Sequence, residues 1–309
     1  MDKNKNYIFC ASTPAAYLIK GVAEILQTTL KTSCFQLKHG GLYLRQMDEN
    51  RSTLIDLTLN AENFEVFYFS KPRGSSIFIG LTLTHLYKLL RTAKKKDSIK
   101  LYILETSPNE IGIEVRTKGA NRVTTSFLKI QQVQNILVDI PIGYNAAPVD
   151  IHSHEFQKIY KDILSIGKTV KISTAGGKIQ FDVDAGSIVK RRVEYGDVDG
   201  SREEKNRYAE VFDTSQLVKL SKISNLSSML NVYTEPNLPF LIKSTIGDIG
   251  HISIFVKTRT QLQTWNVFKD FETYTKKALL AQLVRARSLW GRGREFKSRT
   301  SHRWNVRVV

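Results

Sequence analysis

Cysteine is scarce: 309 residues contain two, Cys10 and Cys34. Two thiols cannot supply a disulfide framework or a metal-ligand set, and they point to a reducing compartment. Long apolar runs are missing as well. No window approaches the ~18 apolar residues of a membrane span, so no membrane partner is expected. The mildly apolar stretch near the start is broken by Ser12, Thr13 and Pro14 and closed by Lys20. It is too short and too polar for a secretory leader, and the chain is expected not to be secreted. Chemical signatures are equally thin. His152 and His154 stand two apart in HSHEF, but the other histidines, His39, His85, His251 and His302, have no metal-ligand spacing. AGGK (175–178) lacks the spacing of a phosphate-binding P-loop. No catalysis, no cofactor and no metal are expected.

Acidic residues are also in short supply. Against 46 Lys and Arg stand 29 Asp and Glu, a formal net charge of +17. Such a surplus suggests a polyanionic partner, nucleic acid first and an anionic membrane surface second. Its location is uneven, because residues 259–309 alone carry 12 basic and 3 acidic residues. The rest of the chain is net basic too, and the 41% apolar content of the whole sequence is that of an ordinary globular protein. Its length suggests two domains.

A unit occurs twice. SCFQLKHGGLYLRQMD (33–48) reads as strand, Gly-Gly turn, strand, and TVKISTAGGKIQFDVD (169–184) repeats it. A helical pattern precedes each copy, with Leu18, Val22, Ile25 and Leu26 as the stripe in one and Phe156, Ile159 and Ile163 in the other. A second helix follows each hairpin, over 83–96 and 213–224. Three strand-like runs close each unit: SIKLYILE, EIGIEVRT and RVTTSFLKI in the first, MLNVYTE, PFLIKSTI and HISIFV in the second. Between the copies, residues 131–150 with Pro141, Gly143 and Pro148 read as a connecting linker. The expected class is α+β: two similar domains, 1–130 and 151–258, each with two helices on one face of antiparallel sheets.

All four helices carry basic residues opposite their apolar stripes. Lys20 lies on the first, Lys88, Arg91 and Lys95 on the second, Lys158 and Lys161 on the third, Lys219 and Lys222 on the fourth. Spacings of three and four share a helix face. Lys and Arg bind phosphate without reading sequence, and such contacts exchange fast enough to permit sliding. The pattern therefore suggests a duplex-tracking surface.

These segments resemble the DNA polymerase sliding clamp, the proliferating cell nuclear antigen family, over roughly residues 8–258. The resemblance rests on GGLYLRQMDENRSTLIDLTL (40–59), GLTLTHLYKLLRTA (80–93), KIQQVQNILVDIP (129–141), EFQKIYKDILSIG (155–167) and LPFLIKSTIGDIGHISIFV (238–256), in order and at the family's spacing. It implies the DNA clamp fold and a head-to-tail homotrimeric ring with helices lining a central hole. Lys20, Lys88, Arg91, Lys158, Lys161 and Lys222 fall where clamps place pore-facing cations, whereas Gln27 stands at a position that is usually basic. The resemblance further implies ring closure by strands 122–130 and 186–195. It implies a pocket beside the linker for short apolar motifs of polymerases and other partners, walled by Met47, Leu54, Val138, Ile140, Pro141, Pro239 and Phe255. The expected partners are double-stranded DNA, a polymerase, a clamp-loader ATPase and further copies of the chain. The expected location is the nucleus, or a cytoplasmic replication site for a viral clamp. The alternative is a monomeric or dimeric clamp-fold factor that holds DNA by charge alone.

Three features depart from the family. The body is basic, where cellular clamps are usually acidic. The lysine used for ubiquitin attachment aligns with Gly176. The chain also continues past the last strand. These suggest a divergent clamp, of the kind a large DNA virus encodes. The tail, 259–309, is expected to be disordered or a read-through product. Its 278–302 segment reads as a DNA-binding arm, a surface helix or the translation of a transfer-RNA gene, the last being favoured. TWNVFKDF (264–271) could instead occupy the partner pocket.

Overall fold

Strand and helix alternate twice in one order. The computed structural model describes residues 6–133, 138–175, 177–186, 188–196 and 208–264. The first half runs β1 (Tyr7–Thr13), α1 (Ala16–Thr29), β2 (Thr32–Lys38), β3 (Gly41–Met47), β4 (Thr53–Asn60), β5 (Val66–Phe69), β6 (Ile77–Thr82), α2 (Leu83–Leu90), β7 (Ser98–Leu104), β8 (Ser107–Arg116) and β9 (Val123–Lys129). The second runs β10 (Val149–His152), α3 (Ser153–Leu164), β11 (Thr169–Ala175), β12 (Lys178–Asp184), β13 (Lys190–Tyr195), β14 (Tyr208–Asp213), α4 (Thr214–Val218), β15 (Met229–Tyr233), β16 (Phe240–Ile246) and β17 (Gly250–Val256).

The strands form three antiparallel sheets, ordered β5-β1-β7-β8-β9, β10-β15-β16-β17-β4-β3-β2-β6 and β13-β12-β11-β14. The duplication is visible in this order. β10-β15-β16-β17 repeats β1-β7-β8-β9, and β13-β12-β11-β14 repeats β4-β3-β2-β6. The halves are joined because the last strand of the second unit, β17, pairs with β4 of the first, from Gly250 opposite Leu59 to Val256 opposite Thr53. Gly250 permits that approach, since a Cβ there would lie 2.0 Å from the Thr58 carbonyl oxygen.

Residues up to Thr260 make one compact unit. Its apolar cluster draws on both halves, from Phe9 to Val256, and takes in the stripes of α1 and α3: Leu18, Val22, Ile25, Leu26, Phe156, Ile159 and Ile163 are all buried. The helices meet side by side. α1 packs on α2 and on the segment after α4, and that segment packs on α3.

Two helices are shorter than their patterns predict. α2 stops at Leu90 rather than continuing to residue 96. Asp97 is the cause: its carboxylate accepts the Lys94 N–H at 2.8 Å and the Lys118 N–H at 3.3 Å, folding 94–97 into a turn. α4 ends at Val218 and continues as a 3-10 helix, Lys219–Asn225. There Ser224 donates to the Ser221 carbonyl at 2.9 Å, a local bond that competes with α-helical pairing.

Candidate nucleic-acid face and partner groove

Of the six predicted cations, Lys20, Lys88, Lys158 and Lys161 lie on α1, α2 and α3, Arg91 is the residue that ends α2, and Lys222 lies on the 3-10 segment after α4; their surroundings differ. Lys88, Arg91 and Lys161 are exposed and make no ion pair among the described residues. Lys222 Nζ lies 2.9 Å from Glu24 Oε1 of α1, and Lys158 Nζ lies 2.8 Å from Glu155 Oε1 on its own helix. Lys20 donates to the carbonyl oxygens of Ala93 at 2.8 Å and Arg91 at 3.3 Å, capping the C-terminal end of α2. A cation there is favoured by the helix dipole as well as by the hydrogen bonds.

Two other lysines leave the face that helical spacing gave them. Lys95 sits beyond the end of α2. Lys219 turns toward buried Asp48, 3.4 Å away, across the junction of the halves. Asp48 also accepts the N–H groups of Ser52 and Thr53 and the Ser52 hydroxyl, so its charge is well satisfied. Gln27 is half-buried on α1.

The predicted pocket residues gather on the other side of the long sheet. Strand alternation predicts that Leu54, Leu241 and Phe255 face outward, because Ile55, Ile242 and Ile254 are in the main core. Yet Leu54, Leu241 and Phe255 are buried too, in a separate cluster with Met47, Val138, Ile140, Tyr144 and Tyr233 around it. The linker supplies the cover. Tyr144 donates its hydroxyl to the Pro239 carbonyl at 2.6 Å, and its ring lies 6.3 Å from that of Phe255. The Glu235 carboxylate accepts the Asn145 N–H at 3.1 Å and the Ala146 N–H at 3.3 Å. Burial, reinforced by the charge of Glu235, pushes the Tyr144 phenol well above its ordinary pKa.

The structure thus brings together Met47, Leu54, Val138, Ile140 and Phe255, with Pro239 tied in through its carbonyl and Pro141 half-buried beside Ile140. Tyr144, Glu235, Tyr233 and Leu241 were not anticipated. A signal for the first was present: Tyr144 is the one aromatic residue between 131 and 150.

The three sheets end in six edge strands, β9 and β13 among them. β9 ends the five-stranded sheet and exposes Val123 and Phe127; β13 ends the four-stranded sheet, with exposed Ile188 and Val189 just before it. β13 is ordered by ion pairs, Arg192 to Asp182 at 2.7 Å and Lys190 to Asp184 at 3.0 Å. Burial pushes the Asp182 carboxyl up, but hydrogen bonds from Arg192 and Gln180 outweigh it and hold the group below the usual carboxylate range.

Residues 8–137 match the sequence pattern of the proliferating cell nuclear antigen N-terminal domain, and residues 140–259 match that of its C-terminal domain. The chain belongs to the proliferating cell nuclear antigen family.

Its relatives in that family are distant. The proliferating cell nuclear antigen of Dictyostelium discoideum is 24% identical over 262 residues, covering 82% of this chain and all (100%) of that one. That of Chaetomium thermophilum is 23% identical, covering 78% and 94%. The probable DNA polymerase sliding clamp 1 of Paramecium bursaria Chlorella virus 1 is 22% identical, covering 81% and 97%. The crystal structure of the Entamoeba histolytica family member shares the fold with a TM-score of 0.73 at 20% identity, covering 82% of this chain and 99% of that one.

Among the described residues no three His, Cys, Asp or Glu converge as a metal site. His154 instead lies 3.1 Å from Glu155. No helix among the described residues is long and apolar enough to cross a membrane. The ubiquitin-position residue Gly176, the 278–302 segment and TWNVFKDF after Thr264 lie outside the described residues.

Proposed function

We propose that this family member is a sliding clamp. Copies join head to tail into a homotrimeric ring, duplex DNA threads the hole along the helices, and polymerases dock in the groove beside the linker. The pairing of β17 with β4 carries the reading. In the repeated topology β9 is the counterpart of β17 and β13 the counterpart of β4. Within the chain one such pair is joined, and the other two strands are left as edges. A second copy offering β13 to β9 would repeat between subunits the junction already made inside one. An interface of that kind uses different surfaces on the two sides, and it generates a closed ring when its rotation closes.

Lys88, Arg91 and Lys161 support the DNA path, because they are exposed cations on a continuous helical layer with no internal partner among the described residues. Such contacts are weak and salt-sensitive. They suffice because enclosed DNA cannot diffuse away, so processivity comes from topology and no catalytic group is required. Opening the ring would fall to a separate loader ATPase, at the nucleus or a viral replication site.

Two measurements test the proposal together. Light scattering should give the mass of three chains. The full chain, once loaded, should stay on closed circular DNA at high salt and slide off linear DNA of the same sequence. Equal loss from both would replace the ring by a clamp-fold factor that holds DNA through its net positive body.

A further inference from the structure

Lys95 and the turn that removes it from α2 open onto a cavity of about 820 Å³. Its walls are the turn after α2 and the hairpin between β8 and β9, and they carry Lys95, Lys96, Arg116, Lys118 and Arg122 with no acidic residue in the lining. Pro14 and Val123 complete the rim. All five cations are exposed, and of these Arg116 alone has an ion-pair partner among the described residues, Glu114 at 3.5 Å. Nothing in the groove or the six helix positions accounts for this concentration of charge.

The fold holds the two walls together. Buried Asp97 spends its carboxylate on the N–H groups of Lys94 and Lys118, one from each wall, and its carbonyl accepts the Ala16 N–H at 3.0 Å. The hairpin is closed by the Thr117 N–H donating to the Arg122 carbonyl at 3.1 Å, and Gly119 takes the φ of +80° that its turn requires. A helix C-terminus ordinarily repels anions. Here the Lys20 ammonium already occupies the carbonyls of Arg91 and Ala93, so the approach from α2 to the cavity is lined by positive charge.

From this geometry we infer that the cavity is a second phosphodiester-binding site, which takes the nucleic-acid backbone where it leaves the helix face. The inference rests on the DNA-binding reading of α2. Continuity favours nucleic acid over a small anion, because the basic series runs from Lys88 and Arg91 directly into Lys95 and Lys96. The lining holds no aromatic side chain on which a base could stack. Binding is therefore to the backbone and independent of sequence. The site would give the emerging strand a fixed exit beside the ring's opening.

The test uses the full chain carrying Lys95→Ala, Lys96→Ala and Lys118→Ala together, all at exposed positions away from the edge strand β9. Affinity for a short duplex and for oligo-dT is read by anisotropy across salt concentration. Each lost phosphate contact flattens the slope of log affinity on log salt by about 0.9 for duplex and about 0.7 for single strand, so up to ~2.7 or ~2.1 is expected. A change in the duplex arm alone assigns the site to the double-stranded flank; a change in the single-strand arm alone assigns it to an unpaired strand. Unchanged slopes in both arms overturn the inference. Lys118→Arg with the other two positions restored should recover the original slope. The Lys88→Ala, Arg91→Ala variant serves as the control. If it behaves like the parent while the cavity variant does not, the helix-face reading fails and the cavity site stands.

Discussion

Lys20 and Lys88 both fall where the family resemblance implies pore-facing lysines, yet their surroundings differ. Lys20 is committed to the carbonyls at the end of α2, while Lys88 has no internal partner among the described residues. An ammonium already hydrogen-bonded has fewer free N–H groups to offer a phosphate, so its contribution to DNA binding is expected to be smaller. The same holds for Lys222 against Glu24 and, more weakly because that pair is more exposed, for Lys158 against Glu155. The unpaired residues should therefore dominate. Lys88→Ala with Arg91→Ala is expected to flatten the duplex salt slope by up to about 1.8, and Lys158→Ala with Lys222→Ala by clearly less. Anisotropy titrations on one duplex would check the ranking, with light scattering to show that the oligomer persists. Equal slopes for the two double variants would mean that internal pairing does not grade these contacts.

At the scale of elements, the linker is where the sequence said least. The stripes of α1 and α3 were legible because apolar spacing of three and four has one reading, and the hairpins were legible because alternation flanks paired glycines. Leu241 was not. Alternation assigns it to solvent, and only the linker lying over β16 explains its burial. The ends of α2 and α4 were hidden for a related reason. They are set by Asp97 and by serine hydroxyls, whose hydrogen bonds leave no periodic trace. The groove residues that were identified came through family resemblance, since nothing in composition separates Val138 or Ile140 from ordinary core. Ile140→Ala should remove apolar surface from the groove and weaken a docking peptide by about 1–3 kcal/mol. Tyr144→Phe should keep the apolar contact but lose the hydrogen bond to Pro239, lowering stability by about 1 kcal/mol. Calorimetry on a partner peptide reads the first effect and denaturant unfolding the second. Full peptide affinity in Ile140→Ala would place docking elsewhere.

For the whole molecule, closure depends on whether the free edge of the first half is a docking strand or a protected one. Natural edges are usually blunted by inward charge, proline or a bulge. β9 instead presents Phe127 outward, in edge-to-face contact with Tyr102 at 6.5 Å. That ring has its place because Gly112, opposite Phe127 on β8, has no side chain: a Cβ would come within 2.3 Å of Tyr102. The aromatic pair is thus preset before any partner arrives, which reduces the ordering cost of association. The strand proposed to meet it, β13, is itself basic at Lys190, Arg191 and Arg192. Phe127→Lys would then act twice, removing an exposed ring that the proposed interface would bury and placing a like charge against that strand. Loss of apolar burial alone is worth about 2–3 kcal/mol per interface, or roughly 30- to 150-fold in the association constant. A closed ring of three contains that interface three times, so the variant should sediment as a folded monomer at concentrations where the parent is fully assembled. Circular dichroism identical to the parent would show that the chain itself is intact. A variant that kept the parent's mass would mean that β9 is not where copies join.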